Sequence, residues 1–265
     1  MVFWIIVVVV FLFFLLLPRR KEPNLICLQA PLGGGKTIYC VRLAKKLYKR
    51  NIRICRRENR KRKFRGFLDR INYELLEEPL FITNLDLFLS KYKYAVRYRP
   101  DIYKYRLPYG TVLLLDEIGS LDGWSQHEYK TFDSLYDDFV RYYRQDTHGG
   151  YLIANDQSFY GIAVGFRRRC NEVLSIDETR EIFKFGLLIK FSIFDQINDE
   201  LILRLDKKGR PIKRKCLIFF KKGEYDTYAH AKFCSERNLC PRDYIKLLNN
   251  NNFRKEFDYV EKAKK

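Results

Sequence analysis

The residues best suited to chemistry form one run, Ala30-Pro31-Leu32-Gly33-Gly34-Gly35-Lys36-Thr37. It follows the spacing GxxxxGK[ST], with Ala30 standing where the first glycine is usual. Each residue type has a use in holding phosphate. Gly33, Gly34 and Gly35 let the backbone curl so that several N–H groups face one point, at the positive end of a following helix. Lys36 has the reach to meet β- and γ-phosphate oxygens, and the Thr37 hydroxyl is a ligand for Mg²⁺. A tight turn suffices at the first position, so Ala30 is compatible with the loop. A triphosphate also needs a carboxylate for its metal, and Thr111-Val-Leu-Leu-Leu-Asp116-Glu117 supplies two acids after an apolar run. The types assign Asp116 to the metal shell and Glu117 to polarising an attacking water.

These groups need elements to position them. Leu25 to Gln29 reads as a buried strand. Thr37 to Arg50 has helical spacing, with Cys40, Leu43, Ala44 and Leu47 on one stripe and Arg42, Lys45, Lys46 and Lys49 outside. Asp116 is expected at the end of a strand neighbouring the first. An amphipathic helix is predicted from Glu128 to Arg144, with Phe132, Leu135, Tyr136, Phe139, Val140 and Tyr143 as its core face and Asp137 paired with Arg141. Tyr151 to Ala154 reads as a further strand, which sets Asn155 and Gln157 level with the γ-phosphate as candidate sensors or as loop caps. Arg141, Arg144, Arg167, Arg168 and Arg169 are candidates for a finger reaching a neighbouring subunit's phosphate. The fold class is therefore α/β, a mainly parallel sheet flanked by helices in the P-loop NTPase manner.

Val2 to Leu17 contains no charged side chain and is closed by Pro18-Arg19-Arg20-Lys21. It is short for a bilayer span, about 17 residues being near the lower limit, but Phe, Ile, Leu and Val dominate it and Trp4 suits an interface. Basic residues follow the apolar run instead of preceding it, which favours a retained anchor over a cleaved signal peptide. The positive-inside rule puts the N-terminus outside and the rest of the chain in the cytoplasm, the compartment that holds ATP. The formal charge of +19 calls for a polyanionic partner, nucleic acid or anionic lipid. Asn51 to Arg65 concentrates that charge, with Arg53, Arg56, Arg57, Arg60, Lys61, Arg62, Lys63 and Arg65 against Glu58. Aromatic residues are sparse there, and DNA phosphate, lipid headgroups and a solvated loop all remain open. The seven cysteines form no CxxC pair and read as reduced, small hydrophobes. His230, Cys234 and Cys240 lack the paired spacing of a zinc site.

In the order of its motifs the chain resembles the assembly ATPases of filamentous phages, related to zonula occludens toxin. The resemblance rests on Ala30 to Thr37, Phe81-Ile-Thr-Asn-Leu85, Leu114-Leu-Asp-Glu117, Arg144, and His148-Gly-Gly150 leading into Leu152-Ile-Ala-Asn-Asp-Gln157. Phe166-Arg-Arg-Arg169 and Tyr225-Asp-Thr-Tyr228 continue it. It covers roughly residues 22 to 230. It implies a membrane-embedded, ring-forming NTPase that drives assembly and extrusion of a single-stranded DNA virion, with phage DNA, coat protein and the host inner membrane as partners. In those relatives the span follows the ATPase domain; here it precedes it. The expected organisation is an anchor over 1–18, a P-loop NTPase domain over 22–230, and a basic helix and tail over 231–265. Leu201 to Leu203 and Cys216 to Phe220 read as a strand pair around the turn Asp206 to Gly209. Two other readings are a membrane-tethered nucleoside or small-molecule kinase with Arg167 to Arg169 in its lid, and a nucleotide-switched scaffold that recruits DNA or coat protein. ATP and GTP are not distinguished by these residues.

Overall fold

The structure is a computed structural model, and it describes residues 23–31, 33–85, 95–121, 123–125, 134–182, 186–197 and 200–219. Six strands run parallel in the order β3-β2-β4-β5-β1-β6. They are β1 (Leu25–Gln29), β2 (Phe81–Thr83), β3 (Ala95–Arg97), β4 (Val112–Leu115), β5 (Tyr151–Asp156) and β6 (Glu172–Ile182). The sheet then turns antiparallel through β7 (Gly186–Ile197), which pairs with both β8 (Glu200–Leu203) and β9 (Lys213–Phe219).

Both faces of the parallel part are buried, and successive residues serve opposite cores. Leu25 and Cys27 of β1 join Leu113, Leu115, Leu152 and Ala154 on one side. Ile26 and Leu28 join Val112, Leu114 and Ile153 on the other. This two-sided burial is why β4 is a continuous apolar run and not an alternating one. Helix α1 (Lys36–Asp69) covers the second face with Tyr39, Cys40, Leu43, Ala44 and Leu47. Helix α2 (Ser134–Asp146) covers the first with Val140 and Tyr143. Around it pack Tyr98, Ile102 and Trp124, and Phe166 from the short helix α3 (Val164–Arg167). Trp124 is wholly buried and its indole N–H donates to the Tyr98 hydroxyl at 2.7 Å. Burying each such large side chain is worth roughly 1.5–3 kcal/mol.

The structure departs from the predicted elements at four places. First, α1 does not stop at Arg50 but continues to Asp69, so the basic segment from Asn51 to Arg65 is helix and not loop. No glycine or proline interrupts residues 36–65, and Arg, Lys and Glu are good helix formers. The extension is held by the chain that returns beside it, where the Asn59 side chain donates to Leu76 O and accepts from Leu76 N–H, both at 2.8 Å. Second, β8 and β9 do not form a pair with each other. The twelve-residue β7 is long enough to accommodate both on one edge, β8 along Phe194 to Ile197 and β9 along Gly186 to Ser192. Third, β3, β6 and β7 have no counterpart in the sequence reading, and four acids interrupt β6. Arg204 and Arg214 neutralise buried Glu172 at 3.2 and 2.9 Å, and Lys190 meets Glu178. Fourth, β4 does not neighbour β1; β5 lies between them.

Helix α2 begins at Ser134, and residues 128–133 lie outside the described residues, as do Val2 to Leu17, Tyr225 to Tyr228 and 231–265. Among the described residues no helix is long and apolar enough to cross a membrane. Also among them, no group of histidines, cysteines and acids is arranged to hold a metal, and Cys27, Cys40, Cys55 and Cys170 are free thiols buried in the core.

Candidate active site

At the carboxyl end of β1 the chain makes the glycine turn and enters α1. Gly33 and Gly35 have φ of 77° and 78°, a region that side chains with a Cβ rarely enter. A Cβ on Gly33 would meet nothing within 4 Å, so that glycine is required by conformation alone. A Cβ on Gly34 would press on Ala30 Cβ and Pro31 O at 3.2 Å, so that glycine is required by space. The Thr179 hydroxyl, from β6, donates to Gly34 O at 2.9 Å and pins the loop from outside. Leu32 lies outside the described residues; Ala30 is buried and Pro31 exposed.

Lys36 and Thr37 open α1. Lys36 is only 6% exposed, and its ammonium has no hydrogen-bond partner. The carboxylate that faces it, Glu117, is 3.8 Å away and half exposed. Burying an ammonium without partners costs several kcal/mol, which an arriving anion would relieve. The Thr37 hydroxyl donates to Asp116 Oδ1 at 2.9 Å. The Asn155 amide donates to the same oxygen, and its carbonyl accepts Glu117 N–H at 3.1 Å. The inserted strand thus has a local consequence. Because β5 separates β4 from β1, its penultimate residue Asn155 stands between the phosphate loop and the acids and ties them together.

Asp116 is nearly buried, and burial raises its carboxyl above the ordinary value of 3.8. The Glu117 charge adds to that rise, while hydrogen bonds from Asn155 and Thr37 and the charge of Lys36 oppose it without cancelling it. A divalent cation against Thr37 and Asp116 would hold the carboxylate ionised. Glu117 has φ of 49°, so the backbone twists sharply after Asp116 and turns the second acid toward Lys36. The residue types and orphaned ammonium fit Mg²⁺ and a triphosphate.

Sequence reasoning did not assign a role to Asn84 at the end of β2. Its amide donates to Asp116 O at 2.7 Å and its carbonyl accepts Asp116 N–H at 2.8 Å, a two-point clamp on the metal-shell residue. The signal was its place just after the strand triplet Phe81-Ile82-Thr83, which says nothing about what lies across the sheet. Asp156 holds the neighbouring loop by accepting Gly119 N–H at 2.6 Å. Gln157 is exposed just beyond β5, and its backbone N–H donates to Asp156 Oδ1 at 2.7 Å.

The arginines divide. Arg167 is buried against the Phe159 and Tyr160 rings, and Arg169 donates to Asp137 at 2.6 Å. Arg141 is exposed on α2 with Asp137 at 3.5 Å, so Asp137 serves two arginines. Arg144 is exposed in the last turn of α2, toward the end of the sheet where the strands begin, opposite the phosphate loop.

A strand, a left-handed glycine turn and a helix at the carboxyl edge of a parallel sheet, with acids closing a second strand, define a P-loop NTPase fold. No family model matches the chain, and no curated protein matches its sequence. Among solved structures it is similar to the N-terminal domain of zonular occludens toxin from Neisseria meningitidis, with TM-score 0.37 and 10% identity over 79% of this chain and 98% of that one. It is also similar to the genome packaging NTPase B204 from Sulfolobus turreted icosahedral virus 2 in complex with ATP-gammaS, with TM-score 0.40 and 14% identity over 70% of this chain and 98% of that one. Likenesses this loose carry no weight about activity, which rests on the residues described above.

Proposed function

We propose that this chain is a membrane-anchored ATPase that powers assembly and extrusion of a filamentous single-stranded DNA phage through the host membrane. The observation that carries the catalytic part is the Lys36 ammonium, buried without a hydrogen-bond partner beside a glycine turn and 3.8 Å from Glu117. Backbone N–H groups of the turn and Lys36 bind the β- and γ-phosphates. Thr37 and Asp116 would hold Mg²⁺, which would supply charge neutralisation for the phosphate oxygens. Asn84 and Asn155 keep Asp116 and Glu117 in register. Glu117, half exposed, orients water for attack on the γ-phosphate and accepts its proton. Arg141, exposed on α2, is the side chain we assign to a neighbouring subunit's site in a ring; Arg144, at the end of the sheet opposite the phosphate loop, is not placed for that role.

The phage and membrane parts rest on the order of motifs from Ala30 to Arg169 and on the apolar run Val2 to Leu17. The kinase reading leaned on lid arginines, and it loses support where Arg167 is buried and Arg169 is engaged by Asp137.

The test is phosphate release by the full chain in detergent or vesicles, with and without single-stranded DNA, beside Lys36→Ala and Glu117→Gln. DNA-stimulated hydrolysis abolished in both variants is expected. Transfer of phosphate to a small acceptor would favour a kinase. Nucleotide binding without turnover would leave only a switched scaffold.

A further inference from the structure

Helix α1 outruns the sheet it packs on. Asn51 donates to Gly110 O at 2.6 Å, just before β4 begins, and Cys55 is the last buried residue of the helix. From Ile52 to Asp69 the helix continues past the strand beginnings for about 27 Å at 1.5 Å per residue. Its end is apolar and outward-facing: Phe64 is 65% exposed, Phe67 81%, Leu68 61% and, in the turn that follows, Ile71 56%. The spacing 64, 67, 68 gathers the three helical ones on one side. Gly66 makes that turn tight, since its carbonyl accepts Ile71 N–H at 3.1 Å and a Cβ there would meet Ile71 O at 2.6 Å. Behind the apolar end stand exposed Arg53, Arg57, Arg60 and Lys63, while Arg65, Asp69 and Arg70, also exposed, lie within it.

Two independent observations choose the occupant. The cations form a collar behind an apolar tip, the arrangement that suits an anionic lipid interface, where aromatic and aliphatic groups enter and cations meet headgroups. Single-stranded DNA would call for aromatic rings among the cations to stack bases, and here Phe64 and Phe67 follow Arg53 to Lys63 instead of being interleaved with them. The second observation is where the chain enters the fold. Asn24 donates to Gly150 O at 2.7 Å and accepts Leu152 N–H at 2.8 Å, at the same end of the sheet as Gly110 and the overhang. Only residues 18–24 separate that point from the apolar run ending at Leu17, a reach of at most about 24 Å. The tether can therefore reach no farther than about the length of the overhang, and the chain enters the fold at the end from which the overhang projects.

We infer that the end of α1 inserts Phe64, Phe67 and Leu68 into the cytoplasmic leaflet of an anionic membrane, a second contact beside the anchor. This rests on the anchored reading of Val2 to Leu17. It holds the domain with its strand beginnings toward the bilayer and its phosphate loop away from it.

The chain's two tryptophans, Trp4 and Trp124, make the test separable. Three full-length chains are placed in vesicles of brominated phosphatidylglycerol or phosphatidylcholine: the natural chain, Trp4→Phe, and Trp4→Phe with Phe67→Trp. The tryptophan introduced at position 67 should lose roughly half its emission or more in phosphatidylglycerol and much less in phosphatidylcholine. Adding Arg57→Glu, Arg60→Glu and Lys63→Glu should remove that difference. No quenching beyond the Trp4→Phe chain overturns the inference, as does equal quenching in both lipids or a response only to a single-stranded oligonucleotide. Quenching of Trp4 in the natural chain reports the anchor separately, so its failure is distinguishable from failure of the tip.

Discussion

Replacing Asp116 by Asn should make the nucleotide-free protein more stable while abolishing its metal-dependent activity. Both hydrogen bonds to Asp116, from Thr37 at 2.9 Å and from Asn155, go to one oxygen, Oδ1. An asparagine can keep that acceptor and put its amide at the other position. Each bond then falls from a charge-assisted bond of about 1.5–3 kcal/mol toward a neutral one of about 1 kcal/mol. Against this, the variant no longer buries a carboxylate whose pKa burial raises despite Lys36 nearby. Because burial raises that carboxyl in spite of both hydrogen bonds and Lys36, a higher Tm is expected for the nucleotide-free variant. A carboxyl whose folded pKa is raised contributes most below its unfolded value, near 3.8, and loses that contribution as pH rises through the folded value. The advantage of Asp116→Asn should therefore vanish near pH 4 and grow toward neutral pH. Thermal unfolding of the full chain in detergent, scanned over pH without nucleotide and again with Mg-ATP, measures both halves. Mg-ATP should raise the Tm of the natural chain and not that of the variant. A variant less stable by the same margin at every pH would show that Asp116 is not held against its charge.

Four further outcomes follow from the same geometry. Lys36→Ala removes an orphaned buried ammonium, so it should not lower the nucleotide-free Tm even as nucleotide affinity, measured by calorimetry, collapses. Gly33→Ala puts a Cβ into open space at φ 77°, so its cost is conformational, about 1–2 kcal/mol, and a roughly tenfold weaker nucleotide Kd is expected. Asn84→Ala strips both backbone bonds from Asp116 and should lower kcat far more than it raises KM for ATP, with a stability loss of about 1–3 kcal/mol by chemical denaturation. Arg167→Ala should destabilise the domain by about 2–3 kcal/mol through lost packing on Phe159 and Tyr160, whereas Arg141→Ala should leave Tm unchanged and lower only the activity of the assembled protein.

What the sequence by itself determined is local. The run Ala30 to Thr37 demands a particular backbone and so could be read residue by residue; Gly33 and Gly35 take left-handed φ. The apolar strand before Asp116 and the core stripe of α1 up to Leu47 were legible because periodicity and two-sided burial leave their mark on neighbouring residues. The length of α1 beyond Arg50 was not legible, since a run of cations suits a solvated helix and a loop equally until Asn51 and Asn59 find partners far along the chain. Strand order was decided only by tertiary structure. Nothing in the local sequence says that β5 slides between β4 and β1, because that choice depends on how helices on both faces pack and not on any strand's own pattern. That insertion is what makes Asn155 a partner of Asp116 and Glu117, and it is also what leaves Asn84 to clamp Asp116 from the other side. The chemistry was written in residue types; the contacts that align it come from the order in which distant strands meet.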